Sequence, residues 1–205
     1  MNLLRVPTRL EWGELDLPLL GLTQDWHKTS MHPPAAYSLA MDAEHFWFVA
    51  THSRPARVHP LARPGKFLAE LWKHDVAELF LANPENQHYL ELNLAPNGSW
   101  WSARFHSPRE MTGEPRPLEG VQTYADLDPD GNWVAALSIP LTTLVREIDF
   151  SPSTTANVTF ILNSPDQYFL SAASLPGKNP DFHQPDHFQT FRVHEGSLPG
   201  MPGSN

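Results

Sequence analysis

The sequence predicts an all-β fold, an antiparallel, jelly-roll-like β-sandwich with one short helix. Short segments rich in β-branched and aromatic residues recur along the chain between turn residues, which is typical of sandwiches. Helical spacing occurs only over residues 140–146, where Pro140 suits a first helical turn and Leu141, Leu144 and Val145 are spaced as on one helix face. With 205 residues and no internal repeat, the chain is long enough for one domain with a substantial core.

We expect a single domain over residues 1–196 and a disordered tail over residues 197–205, which are rich in Pro and Gly. The predicted strands span residues 36–42, 45–52, 75–82, 88–95, 99–106, 121–127, 133–139, 157–163, 168–173 and 188–194. Proline-rich stretches predict long loops at residues 33–34, 55–64, 108–117 and 176–185. Tight turns are expected at residues 42–44 and 165–166.

Composition and charge exclude several classes of function. Cysteine is absent, so the chain has no disulfide framework, thiol nucleophile or thiolate metal site. A net charge of −9 argues against nucleic acid and anionic membrane surfaces as partners. No apolar run approaches the roughly 20 residues needed to span a bilayer. The first residues do not resemble a signal peptide, so we expect a cytoplasmic location.

A β-hairpin is predicted around Asn97-Gly98, because a two-residue type I′ turn needs positive φ at both central positions. Counting outward from this turn places Glu91 directly opposite Arg104. The apolar face then pairs Leu94 with Trp101, Leu92 with Ala103, and Leu90 with Phe105. The other face pairs Ala95 with Trp100, Asn93 with Ser102, Glu91 with Arg104, and Tyr89 with His106. This polar–aromatic face is either solvated surface or the floor of a site for a polar ligand.

Several short fragments occur in a recognisable order along the chain. They are Leu71-Trp72-x-x-Asp75-x-x-Glu78-x-Phe80, then Tyr89-x-Glu91-x-Asn93-x-x-Pro96-x-Gly98, then Phe105, Arg109, Trp133, Ile139-Pro140-Leu141 and Phe182-His183-x-Pro185. Together they resemble the family 9 carbohydrate-binding modules and the wider DOMON-like β-sandwich superfamily over most of the chain. The resemblance implies a jelly-roll-like sandwich that binds sugars in a cleft, usually without catalysis.

The resemblance also implies roles for particular residues. In such modules two aromatic side chains clamp a sugar ring, while a Glu and an Arg bind its hydroxyls. The implied clamp consists of Trp72 and Phe182, although the second clamp residue of the family is a Trp. The implied hydroxyl-binding residues are Glu78 and Arg104; we expect Asn179 and His183 to join them, with Glu91 orienting Arg104. The calcium sites known in the family have no clear counterpart in this sequence.

A purely structural interpretation of the same residues stays open. Glu91 and Arg104 would then form a cross-strand ion pair worth ~0.2–1 kcal/mol. Trp72 and Trp100 would be core or rim aromatics. The chemical argument for a site is that sugars present apolar C–H faces, on which rings stack, and hydroxyls, which carboxylates and guanidinium groups bind.

Three further patterns bear on metal or haem binding. His183 and His187 have the four-residue spacing of a metal pair, but Pro185 disfavours a helix and no third ligand is evident; a ligand-facing loop and ordinary packing stay open. Asp126-x-Asp128-x-Asp130-Gly131 matches half of a calcium loop, yet Leu137 occupies the position of the bidentate Glu. We therefore expect a hairpin connection at residues 128–132, and calcium remains an option. The possible haem ligands Met31, Met41 and Met111 lack a convincing context.

The function predicted from the sequence is non-catalytic binding of a small carbohydrate or similar polyol, with no cofactor, nucleic acid or membrane partner. The alternatives are a haem-binding DOMON domain or a glycoside hydrolase that uses Glu78 and Glu91 as its carboxylate pair. A third class is a protein-interaction domain that uses the same concave face.

Overall fold

The computed structural model describes residues 1–13, 15–163 and 166–196, in which two seven-stranded sheets form a β-sandwich. The predicted all-β sandwich with one short helix is therefore confirmed. The predicted tail at residues 197–205 and the first residue of the turn at residues 165–166 lie outside the described residues. None of the described helices is both long and apolar enough to span a bilayer.

The strands in chain order are β1 Asn2–Arg5, β2 Leu20–Gln24, β3 Ser30–Met41, β4 His45–His52, β5 Val76–Ala82, β6 Tyr89–Leu94, β7 Trp100–Ser107, β8 Glu110–Met111, β9 Gln122–Leu127, β10 Trp133–Pro140, β11 Thr155–Leu162, β12 Tyr168–Ser171, β13 Gln189–Thr190 and β14 Arg192–Glu195. The first sheet has the order β14-β1-β3-β4-β10-β9, with β2 paired to β3. The second has the order β12-β11-β5-β6-β7-β8, with β13 paired to β11. Strand β1 pairs in parallel with β3 and β14.

The helix α1 spans Leu141–Ile148 and follows β10 directly, with Pro140 as its N-terminal cap residue. Two short 3₁₀ turns span Leu71–Lys73 and Pro185–His187. Strand β3 runs through Pro33-Pro34, which the sequence predicts as a loop. That prediction is wrong because the pairing of β2 with β3 is irregular in this stretch, so two residues without an N–H group are tolerated.

The core lies between the inner faces of the two sheets, where every second residue of each strand is apolar. The largest contributions come from Leu39, Phe46, Phe48, Trp133, Leu137 and Ile139 of the first sheet and from Leu79, Leu81, Leu90, Leu92, Leu94 and Phe160 of the second. The leucines predicted to face the core from β6 do so. The outer face of each sheet carries a smaller apolar cluster that packs against loops. On the second sheet, these loops border the candidate site.

The β6–β7 turn contains three residues rather than the predicted two. The Ala95 N–H donates to Ser99 O at 2.8 Å, and the Gly98 N–H donates to Ala95 O at 2.9 Å. Pro96 fixes the first turn position near φ −65°, which suits a type I turn. Gly98 then adopts φ +80° and returns the chain to the strand, as in three-residue hairpins.

This turn shifts the hairpin register by one residue, so the predicted pairing of Glu91 with Arg104 is wrong. Glu91 pairs with Ala103, and Arg104 pairs with Leu90. Because alternate residues face opposite sides of a sheet, the shift moves every β7 side chain to the other face. Trp100 is therefore a core residue, whereas Trp101 faces outward.

Arg104 extends from the inner face towards helix α1. Its Nη1 lies 3.4 Å from Glu147 Oε2, and the Arg116 guanidinium donates to both oxygens of the same carboxylate at 2.8–2.9 Å. The Glu147 side chain is almost fully buried, so these cations compensate a charge that would otherwise be costly. Arg104 thus has a structural role at the rim of the core.

The turn geometry predicts that Gly98→Ala destabilises the protein by about 1–2 kcal/mol. An Ala there must adopt the left-handed region, and its Cβ would lie 3.4 Å from Ala125 Cβ. The control is Gly21→Ala, because Gly21 lies in β2 without positive φ and a Cβ there meets only Pro34 at an ordinary 3.6 Å. Urea unfolding of both variants measures the difference. Equal stability of the two would contradict the three-residue turn.

Candidate functional site

A cavity of about 560 Å³ lies on the outer face of the second sheet. Its floor is built from β5, β6 and β7, and its walls come from three loops. The loop over residues 53–75 contributes Trp72, the β7–β8 turn contributes Arg109, and the loop over residues 172–188 contributes Phe182 and His183. The complete lining is Ala69, Glu70, Trp72, Glu78, Phe80, Glu91, Trp101, Phe105, Arg109, Met111, Pro115, Ile161, Phe169, Pro180, Phe182 and His183.

Buried polar contacts hold the loop over residues 53–75 in place. The Asp75 carboxylate accepts hydrogen bonds from the backbone N–H of Arg57 at 2.9 Å and of Asn163 at 2.7 Å. Because Asn163 directly follows β11, this bond ties the loop to the sheet. On the other side, Arg109 Nη2 lies 2.9 Å from Asp181 Oδ1 and links the β7–β8 turn to the loop over residues 172–188.

Aromatic side chains form most of the cavity wall. Trp72 lies in the 3₁₀ turn Leu71–Lys73 and is 50% exposed. The Lys73 ammonium group lies over its indole, 5.4 Å from the ring centroid. Trp101 is half-buried on the outer face of β7. Phe182 is only 7% exposed and packs 6.0 Å from Trp26 and 6.4 Å from Phe169, measured between ring centroids. The cavity therefore has an open rim at Trp72 and a packed wall at Phe182.

Two carboxylates, Glu78 and Glu91, lie on the floor. Glu78 pairs with Asn93 across the strands, and Glu91 pairs with Phe80, so the two acids are diagonal neighbours on one face. Diagonal neighbours on a sheet are roughly 7 Å apart. Their exposed fractions are 3% and 5%. Burial raises the pKa of both carboxyls, and repulsion from Glu78 raises that of Glu91 further.

The two carboxylates differ in their hydrogen bonds. Glu78 Oε2 accepts a hydrogen bond from the Thr159 hydroxyl at 2.8 Å, which partly offsets the effect of burial on its pKa. Glu91 accepts no hydrogen bond of ordinary geometry from the described residues. The Asn93 amide is close enough to lower the pKa of Glu91, an effect smaller than those of burial and Glu78, yet both of its polar atoms are buried without a partner of their own. Glu91 therefore points into the cavity with unused acceptors.

A hydrogen-bonded chain orients His183. The backbone N–H of Arg109 donates to Tyr89 Oη at 3.1 Å, and Tyr89 Oη lies 2.7 Å from His183 Nδ1. Burial, with the positive charge of Arg109 nearby, lowers the pKa of His183 to about 4, so the ring is neutral at pH 7. The network assigns the Tyr89 proton to Nδ1 and the ring proton to Nε2. That Nε2 lies 3.8 Å from Glu91 Oε2 and is available to a ligand between them.

The structure brings five of the seven predicted site residues to the cavity: Trp72, Glu78, Glu91, Phe182 and His183. Arg104 does not reach it, because the register shift places its side chain on the inner face. Asn179 is exposed in its loop and does not line the cavity. The ligand-binding roles of all seven stay predictions.

Among the lining residues that sequence reasoning did not assign to the site, Trp101 and Arg109 contribute the indole and the cation that matter most for its chemistry. A sequence signal was present for Trp101. Pro96 before Asn97-Gly98 favours a type I turn with a third loop residue, which places Trp101 outward. Arg109 follows Pro108 and has φ +64°, which keeps it at the bend between β7 and β8, beside the cavity.

The suggested metal and haem sites gain no additional ligands. Among residues 1–13, 15–163 and 166–196, no three His, Asp or Glu side chains are grouped so that they could hold a metal ion. The expected hairpin connection at residues 128–132 is confirmed, since the Asp128 N–H donates to Asn132 O and the Gly131 N–H donates to Asp128 O, both at 3.0 Å. Met31 and Met41 are core residues, and Met111 lines the cavity.

No family model matches the sequence. Among curated proteins, the chain is similar to the UPF0462 protein C4orf33 homolog of Mus musculus, with 27% identity over 140 residues that cover 64% of this chain and 68% of that protein. The Homo sapiens UPF0462 protein C4orf33 is 26% identical over 140 residues, with 64% and 65% coverage. The chain thus spans about two thirds of the length of these relatives.

Solved structures share the fold at low sequence identity. A proposed carbohydrate-binding protein from Bacteroides uniformis superposes with a TM-score of 0.72 at 13% identity, over 95% of this chain and 98% of that chain. A family 9 carbohydrate binding module from Caldicellulosiruptor kristjanssonii in complex with glucose gives a TM-score of 0.61 at 11% identity, over 98% and 100%. The same kind of module in complex with cellotriose gives 0.59 at 12%, with full coverage of both chains. The fold implied by the sequence resemblance is therefore confirmed.

The buried acid predicts a pH-dependent effect of Glu91→Gln. Because the folded state raises the pKa of Glu91, its contribution to stability is complete below the unfolded pKa of about 4.3 and is lost as the pH rises through the folded pKa. A neutral Gln avoids that loss. The variant should therefore melt at a higher temperature than the parent at pH 8, by roughly 2–4 °C per kcal/mol gained, and close to it at pH 4.5.

The control for this measurement is Glu85→Gln, which removes one exposed carboxylate from the β5–β6 loop. Its effect on the melting temperature should be small at both pH values. Differential scanning calorimetry measures both variants. A melting difference for Glu91→Gln that is the same at pH 4.5 and pH 8 would show that Glu91 titrates as an ordinary exposed acid.

Proposed function

We propose that this protein binds a small carbohydrate or similar polyol non-covalently in the cavity on the outer face of the second sheet. One observation carries the proposal: indole and phenyl rings surround two buried carboxylates in a single concave space of about 560 Å³. That volume falls within the roughly 300–1,000 Å³ typical of small-ligand sites. An apolar wall with a few oriented polar groups is the arrangement a sugar ring requires.

The proposed roles follow from the chemistry of each group. Trp72 and Trp101 offer ring faces to the C–H surface of a sugar. Glu78 and Glu91 hydrogen-bond to hydroxyls: an ionised carboxylate accepts, and a protonated carboxyl group, which the raised pKa values favour, also donates. His183 donates through Nε2, in the tautomer that Tyr89 selects. Arg109 adds a charged donor at the rim.

Proteins of the same fold support the ligand class. Family 9 modules have been observed with glucose and with cellotriose, and a third neighbour is described as a proposed carbohydrate-binding protein. At 11–13% identity these likenesses concern the fold, so the ligand is inferred from the cavity of this chain. Glucose and cellotriose are therefore the first probes to test.

Trp72→Ala should weaken glucose or cellotriose binding by roughly tenfold or more, because it removes an apolar face that the sugar would cover. Its effect on the melting temperature should be small, since half of the side chain is exposed. The matched control is Trp12→Ala, which removes a half-buried indole on the outer face of the first sheet. Isothermal titration calorimetry measures both. Unchanged affinity in Trp72→Ala would remove this cavity as the sugar site.

Arg104 and Arg109 distinguish the predicted hairpin register from the observed one. The predicted register places Arg104 at the site, whereas Arg109 lines the observed cavity. Arg109→Ala should weaken sugar binding, because Arg109 lines the cavity and also anchors Asp181. Arg104→Ala should leave sugar affinity unchanged and lower stability modestly, because Arg116 still binds Glu147. Titration and thermal unfolding of the pair give a direct comparison. Loss of binding in Arg104→Ala alone would support the two-residue turn and contradict the observed register.

A further inference from the structure

We propose that the cavity prefers a cationic ligand, specifically a sugar bearing a protonated amine, over neutral sugars. The inference rests on the proposed function and narrows its ligand class. It starts from a charge imbalance among the groups that line the cavity. Among the described residues that line it, the acids are Glu70, Glu78 and Glu91, and Arg109 is the only cationic side chain.

The lining cation does not neutralise the floor. Arg109 Nη2 is engaged by Asp181 at 2.9 Å, and the Arg109 side chain is largely exposed at the rim. Lys73, beside Trp72, is paired with Glu70. His183 is neutral at pH 7, as derived above. Within the part of the chain that the structure describes, no Lys or Arg nitrogen lies within 4 Å of a Glu78 or Glu91 oxygen. A cationic group of a ligand could therefore pair with Glu78 and Glu91.

Glu91 is the group that points to a ligand. It is about nineteen-twentieths buried, lines the cavity and accepts no hydrogen bond of ordinary geometry from the described residues. Buried carboxylates are normally paired, since an unpaired one is costly. The neighbouring Asn93 amide also lacks partners for both polar atoms. A floor with unused acceptors favours a ligand that brings several N–H donors, as an ammonium group does.

The walls fit the same ligand. Aromatic faces attract cations through their ring quadrupoles, and Trp is the strongest of them. Trp72 and Trp101 line the cavity above the carboxylates, together with Phe80, Phe105 and Phe169. A hydrophobic pocket selects poorly between ligands by shape alone, whereas a buried charge discriminates strongly. A sugar that carries an amine uses both features, because its ring stacks on indole while its ammonium group meets Glu91 and Glu78.

Binding of a cation should also expel protons. The titratable and charged groups that surround Glu91 are Glu78, Tyr89, Arg109, Asp181, His183 and, at the rim, Glu70. Repulsion between the two buried acids favours retention of a proton by the pair in the empty cavity. A nearby ammonium group favours the ionised carboxylates, so binding releases protons to the buffer. Glucose, being neutral, has no such effect.

The test compares glucosamine with glucose, which differ by an ammonium group in place of a hydroxyl. Titration calorimetry at pH 6.5, where the amine stays protonated, should give glucosamine about tenfold tighter binding than glucose. Repeating the titration in buffers of different ionisation enthalpy should reveal proton release with glucosamine only. In Glu91→Gln, the affinity for glucosamine should fall towards that for glucose, and proton release should decrease. Glu85→Gln, which does not change a residue of the cavity lining, should behave as the parent.

The outcomes separate this inference from the proposed function. Equal affinities for glucose and glucosamine overturn the preference for an amine and leave sugar binding intact. Binding of neither sugar overturns both proposals. Tight binding of tetramethylammonium without any sugar binding overturns the amino-sugar assignment, because the cavity would then recognise the cation alone. Glucosamine preference that survives Glu91→Gln and Glu78→Gln also overturns it, because the selecting charge would lie elsewhere.

Discussion

The hydrogen bonds of the three-residue turn between β6 and β7 determine what faces the cavity. With Ala95 bonded to Ser99 and Gly98 bonded back to Ala95, every residue of β7 has a fixed partner on β6. A strand has a side-chain period of two, so the register allows only two arrangements of its faces. The observed one directs Trp101 to the cavity and Arg104 to helix α1. The composition of the site therefore follows from one turn.

The buried carboxylates oppose the stability that the sandwich core supplies. Leucines and aromatics on the inner faces are packed and dry, whereas the outer face of β5 and β6 carries Glu78 and Glu91 with few hydrogen bonds. Such a pair destabilises the empty protein at neutral pH, because the folded state resists ionisation. Buried acids with strongly shifted pKa values cluster at functional sites, where a ligand can stabilise their ionised form. A ligand bound between the two acids would offset this destabilisation.

The fold could be predicted from local patterns, and the site only in part. The alternating leucines of β6 identified the core face, and Pro140 marked the start of α1. The short strands β1, β2 and β8 escaped prediction because strands of two to five residues carry too few positions for a period to emerge. The turn was misassigned because Asn97-Gly98 suits both a two-residue and a three-residue loop, and Pro96 decides between them.

The convergence of distant loops is the part that local sequence could not provide. Tyr89 and Glu91 lie two residues apart on β6. Tyr89 holds the His183 imidazole through Nδ1, which places Nε2 of the same ring 3.8 Å from Glu91 Oε2. Arg109 supports the same Tyr89 from its backbone and Asp181 from its side chain, so one residue positions both the ring and the loop that carries it. Loop and floor are thus joined before any ligand arrives, which reduces the ordering cost of binding. A preformed cavity with unused acceptors therefore loses little free energy to rearrangement on binding and selects ligands by charge.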